Sequence, residues 1–267
     1  MFLEKLDGTW QEIDSWTLPA SSRNVFRIGS RGGYLVYDQE IDATGFDGAI
    51  GVNWDNIEQH ALSVPSGHVF NTSDSVRTLN AGTTMTLSYT CGVSATVLVL
   101  GIFVDELDTR PATAPTYNSA AMTDSGQGVV NETNGDKVEL WYLLNPDVGS
   151  AHDITLDVTA GQYVTLIAAS FSADTSNFDT SSSVADTVAN PSLAITTTGN
   201  GCVIVNVLCE NLVNAPTEGQ TLVVGVDSAK SYYSMQYFLQ EAAGSKTMTW
   251  TADGGKKALI NISIDSD

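Results

Sequence analysis

Apolar positions recur at every second residue through most of the chain, and no stretch sustains the 3.6-residue period of an amphipathic helix. TMTLSY, ATVLVLGIFV, VELWYLL, DITLDVTA, YVTLIAASF, PSLAITTT, CVIVNVLCE, QTLVVGVD, YYSMQYFLQ, TMTWTA and KALINISID are short, rich in β-branched and aromatic residues, and separated by Gly, Pro, Asn, Asp and Ser. Such runs predict an antiparallel all-β fold. Residues 95–104 and 202–208 are apolar on both faces, whereas 153–158 and 258–264 alternate as strands with one wet face. Two packed sheets with central and outer strands give that mixture, so the expected architecture is a jelly-roll-like β-sandwich.

The pattern changes in the N-terminal quarter. Strand-like runs are fewer there, NVFRIGS and GGYLVYDQEI among them, and three of the five tryptophans fall before residue 55. The reading divides the chain into a β-rich segment at 1–72, either a small domain or an added arm, and a sandwich at 73–267. Trp10, Trp16, Arg23, Arg27, Arg31 and Trp54 are the candidate interface residues, because Trp and Arg are favoured anchors of docking surfaces. The same tryptophans also suit a local core.

Charge narrows the partners. Lys plus Arg number 11 against 31 Asp plus Glu, a formal net charge of -20. A field of that sign repels phosphate backbones and anionic lipid, so neither nucleic acid nor a membrane is the expected partner. The longest apolar run, Ala95–Val104, falls far short of the roughly 20 residues that span a bilayer. Cys91, Cys202 and Cys209 are too few and too irregular for a disulfide framework; Cys202 and Cys209 stand an odd number of positions apart and face opposite sides of one strand. Buried free thiols are expected.

Chemistry is sparse. No G-x-S-x-G elbow is present, and His60 and His68 lack the spacing of a helical zinc site, although Glu58 lies close by. His152 sits in what reads as a turn, GSAHD. The acids Asp105, Glu106 and Asp108 form a run better suited to a solvated loop than to a glycosidase pair. Asp38, Glu40, Asp42 and Asp47 offer oxygen ligands but miss the calcium-loop pattern. No cofactor, metal or catalytic residue is therefore expected. Tyr232 and Tyr233 point to opposite faces, which breaks up any three-tyrosine sugar platform with Tyr237; Tyr233 and Tyr237 read as core.

Five segments in order, ATVLVLGIFV, APTYNSAAMT, VELWYLLNPDVGSAHDITLDVTAG, SSSVADTVANPSLAITTTGNGCVIVNVL and SKTMTWTADG, carry a resemblance across about residues 73–265. Together they resemble a β-sandwich family of phage virion proteins that also occurs in bacterial surface and metagenomic proteins. In that pattern a core strand leads to a hairpin at APTYNSAAMT, then to neighbouring strands turning at Asn145 and Pro146, with Trp141, Tyr142 and Pro146 packed at the corner. The resemblance transfers no catalytic motif. It implies a non-enzymatic virion structural protein: a capsid decoration, head-fibre or tail-associated protein, made in the host cytoplasm without a signal peptide. Its expected partners are other virion proteins and itself, as a homo-oligomer for which a trimer fits. The rival expectation is a carbohydrate- or receptor-binding adhesin module that meets a host-surface glycan, and a glycan hydrolase ranks below both.

Overall fold

A computed structural model describes residues 2–4, 10–12, 26–30, 33–37, 67–80, 82–104, 113–130, 136–186, 190–210, 217–227, 231–252 and 257–266. Two compact units divide the chain, Met1–Ser63 and Val64–Asp267. In the first, β1 (Phe2–Glu4) pairs with β2 (Trp10–Glu12) and β3 (Phe26–Ser30) with β4 (Gly33–Tyr37), both antiparallel. The boundary read from the sequence at 72/73 falls inside β5 (Val69–Asn80).

The second unit continues through β6 (Thr84–Thr90), β7 (Val97–Val104), β8 (Thr116–Tyr117), β9 (Ala120–Ala121), β10 (Thr123–Val130), β11 (Lys137–Leu144), β12 (Ala151–Asp157) and β13 (Gln162–Ser172). After it come β14 (Asn177–Asp186), β15 (Ser192–Thr197), β16 (Cys202–Glu210), β17 (Thr217–Glu218), β18 (Thr221–Asp227), β19 (Tyr232–Gln240), β20 (Gly244–Thr251) and β21 (Lys257–Asp265). All pairings are antiparallel and the described residues contain no helix, the class that the two-residue period predicts.

Four sheets result. Two five-stranded sheets, ordered β10-β11-β7-β13-β5 and β14-β21-β16-β19-β18, lie in the middle; a four-stranded sheet, β6-β12-β8-β9, covers the first, and a three-stranded sheet, β15-β20-β17, covers the second. The shared core between the middle sheets joins Val97, Val99, Phe103 and Ile167 to Val203, Val205, Ile260 and Ile262. A separate core under the four-stranded sheet joins Leu98, Leu100 and Trp141 to Leu87, Ile154 and Leu156. Two smaller clusters, around Ile204 with Met248 and around Leu208 with Trp250, hold the three-stranded sheet. The single pair of sheets expected from sequence is thus doubled into two sandwiches packed through their larger sheets.

This layering explains the apolar runs. Every residue of β7 and β16 is buried, because each is the middle strand of a sheet covered on both sides. The outer strand β12 keeps one wet face, as its alternation predicts. By contrast β21, expected to be half wet, is buried from Lys257 to Ile264; its polar side chains meet the three-stranded sheet instead of water. The turn after β11 falls where expected, with Asn145 and Gly149 at φ 51° and 75°, but β11 and β12 are not paired neighbours. The chain crosses there from a middle sheet to an outer one. Trp141 and Tyr142 accordingly face different cores instead of packing one corner. The APTYNSAAMT segment does form a hairpin: Asn118 and Ser119, at φ 45° and 66°, make its two-residue turn between β8 and β9.

Candidate functional site

Several groups with chemical capacity lie inside the sandwiches. His68, outside any strand and just ahead of β5, is buried at 2% exposure. Its Nδ1 donates to the Gly201 carbonyl at 3.0 Å, which leaves Nε2 to accept the Ser176 hydroxyl at 2.9 Å. Ser176 Oγ lies 2.7 Å from Thr96 Oγ1, and Thr96 Oγ1 accepts from the Ala173 amide at 3.0 Å. A serine bonded to a histidine is the contact that nucleophilic chemistry uses, but Ser176 is buried at 8% exposure and His68 at 2%, which closes both to a substrate in this arrangement. The arrangement acts as a hydrogen-bonded clamp. Burial also pushes the His68 pKa below its ordinary value, and the Gly201 carbonyl only partly opposes that shift.

Glu210 and Lys257 form a second buried pair, directly opposite one another on β16 and β21, with Nζ 3.4 Å from Oε1 and both side chains fully enclosed. Beside them a polar network joins the middle sheet to the three-stranded one. Asn206 Nδ2 donates to Asn261 Oδ1 at 2.7 Å and to the Ile260 carbonyl at 3.1 Å, while its Oδ1 accepts from Gln236 Nε2 at 3.0 Å and from the Trp250 indole. Gln236 reaches on to the Thr249 carbonyl at 3.1 Å and Asn261 to the Leu193 carbonyl at 3.0 Å. These bonds staple two sheets whose apolar contact is small. Near the inner face, Asp136 accepts from Ser231 Oγ at 2.7 Å, and all three of Asp136, Ser231 and Cys209 are buried.

The three thiols are free and buried, as expected. Burial pushes the Cys91 thiol up to about 11 and raises that of Cys202. Tyr233 is fully buried with Tyr237 packed on the same core, in keeping with their reading as core. His152 lies on β12, not in a turn, and its ring meets Tyr117 edge-on at 5.6 Å. Among the described residues, no three His, Cys, Asp or Glu side chains converge as a metal site.

Of the candidate interface residues, Trp10 lies on β2 and Arg27 on β3, whereas Trp16, Arg23, Arg31 and Trp54 fall outside the described residues. His60, Glu58 and the two acidic runs at 38–47 and 105–108 also fall outside.

The two outer sheets present mostly hydroxylated positions outward. Thr84, Thr86, Ser88 and Thr90 line the exposed side of β6, flanked by Asp153 and Asp157 on β12. On the opposite outer sheet the exposed positions are Ser192, Ala194 and Thr196 of β15 and Ser245, Thr247, Thr249 and Thr251 of β20. Both outer faces are pleated arrays of hydroxyls without an exposed aromatic or basic side chain among the residues named. Comparison with protein-family models, with curated proteins and with solved structures finds no match.

Proposed function

We propose that the chain is a non-enzymatic virion structural protein, of the capsid-decoration, head-fibre or tail-associated kind, that works by docking to other virion proteins and to its own copies. The observation that carries this reading is the disposition of its polar groups. The Glu210–Lys257 pair, the Asn206 network and the His68 clamp are built into packing, and the outer faces carry hydroxyls and carboxylates on antiparallel sheets of regular register. Such a body is a spacer and a display surface. A surface poor in lysine and rich in acids also stays soluble at high local concentration. The resemblance of residues 73–265 to phage virion sandwiches points the same way.

The test is proteomic. Peptides of this chain should be recovered from purified, nuclease-treated particles at a fixed ratio to the other particle proteins, and their absence from particles contradicts the reading. A glycan array run with the same protein separates the adhesin alternative, which requires saturable binding to a defined sugar.

A further inference from the structure

The two sandwiches repeat one another strand for strand. Replacing β5, β6, β7, β8, β10, β11, β12 and β13 by β14, β15, β16, β17, β18, β19, β20 and β21 converts the order β10-β11-β7-β13-β5 into β18-β19-β16-β21-β14, and β6-β12-β8 into β15-β20-β17. Those are the observed orders of the second half. Only β9 lacks a counterpart among the described residues.

Register carries the match to single residues. Phe70 and Val97 flank Phe171 in the first half, and Phe178 and Val203 flank Ile264 in the second. Each edge strand then skips one residue directly after its phenylalanine, Asn71 on β5 and Asp179 on β14. The sequences around these bulges, FNTSDSV at 70–76 and FDTSSSV at 178–184, agree at five of seven positions. A second pair of irregularities follows Asp124 on β10 and Leu222 on β18, the residues opposite Trp141 and Gln236.

The contacts between the halves are reciprocal. Tyr142 of the first half stacks on Phe178 of the second at 5.0 Å and 9°, and Tyr237 of the second stacks on Phe70 of the first at 5.3 Å and 8°. Tyr142 and Tyr237 are equivalent, opposite Val99 and Val205 in register. Likewise β10 lies against β14 and β18 against β5, and β7 meets its own counterpart β16. His68 and Ser176 each precede the matched phenylalanine by two residues and bond to one another, so the clamp lies on the axis relating the halves. When residue i meets j′ and j meets i′, the interface is isologous, the signature of a twofold dimer.

We infer that residues 67–266 are two copies of one sandwich joined as an isologous pair, and that the inner face of each copy is a self-association surface whose natural partner is another copy of that sandwich. The face is suited to it. It is apolar from Phe70 through Val99, Phe103, Leu140 and Tyr142, and at its centre Gly101 lacks a side chain where a Cβ would come within 3.2 Å of Val207. The link between copies is short, Ala173–Ser176, and contributes the clamp; the pairing itself is made by the two faces.

The test begins with the full chain carrying two sites for one specific protease, between Ser63 and Val64 and between Asp174 and Thr175. After cleavage of the native protein, the two sandwich fragments should elute together and part only in denaturant. The first fragment, isolated and refolded alone, should sediment as a dimer, and mixing it with the second should restore the original one-to-one pair. A first fragment that refolds to a stable monomer overturns the inference. Should it not refold, double-mutant cycles in the intact chain decide: Tyr142→Ala with Phe178→Ala, and Tyr237→Ala with Phe70→Ala, should both show favourable coupling. Coupling confined to one stack contradicts the twofold relation.

Discussion

At the scale of single residues, the repeat supplies an internal control for the buried charges. The positions of Glu210 and Lys257 are held in the first half by Val104 and Val164, paired opposite one another and fully buried. The same site therefore packs with or without charge. Removing one partner takes the opposing charge away from the other: Glu210→Val alone should cost about 3–5 kcal/mol in a urea titration, whereas Glu210→Val with Lys257→Val should be neutral or stabilising by about 1–4 kcal/mol. His68 gives a pH signature. Its folded pKa lies below the unfolded value of 6.5, so the unfolded chain binds more protons as pH falls past that value. The stability of neutral, buried His68 is present above pH 6.5 and is lost as pH falls through the folded pKa. The wild type should accordingly lose stability below pH 6.5 relative to His68→Asn, and parallel curves for the two proteins would contradict the clamp. The thiols give a third readout: Cys91, Cys202 and Cys209 are all buried, so a thiol reagent at neutral pH should label them only as the chain unfolds.

At the scale of elements, what separates legible strands from illegible ones is their place in the sheet. Central strands such as β7 and β16 announce themselves because both faces are buried. The strands that periodicity passes over are β5, β10 and β14, edge strands of the middle sheets, made largely of Ser, Thr, Asp and Gly. Their hydroxyls serve the opposite sheet: Ser181 donates to the Ser125 carbonyl at 2.8 Å and Ser183 to Gln127 Oε1 at 2.6 Å, both from β14 to β10. A polar strand with that role has no hydrophobic alternation to read. The duplication had a legible signal in FNTSDSV and FDTSSSV, whereas the polar interior of the second half had none. Asn206, Gln236 and Asn261 occupy the positions of Leu100, Trp141 and Ala168, and only register shows that they meet. Asn206→Leu should therefore destabilise, by about 1–3 kcal/mol for each donor it strands, the Trp250 indole first. Chemical denaturation compares it with wild type.

At the scale of the whole molecule, the account rests on a division of labour. The described residues of 64–267 form four stacked sheets with buried polar groups built into the packing, and residues 1–63 form a separate unit that includes the candidate anchors Trp10, Trp16, Arg23, Arg27, Arg31 and Trp54. The sequence made the all-β class readable, but not the number of layers, because a strand buried by one neighbouring sheet reads like a strand buried by two. It also placed the boundary inside β5, so a truncation there would cut the start of an edge strand, Val69 to Thr72, away with the N-terminal unit. A cut between Ser63 and Val64 respects both units. The most direct measurement of the proposed docking role is the solution mass, by sedimentation equilibrium, of the full chain and of residues 64–267. The account predicts an oligomer for the full chain and a folded monomer for the shorter one. Two monomers, or an oligomer that survives removal of residues 1–63 unchanged, would contradict it.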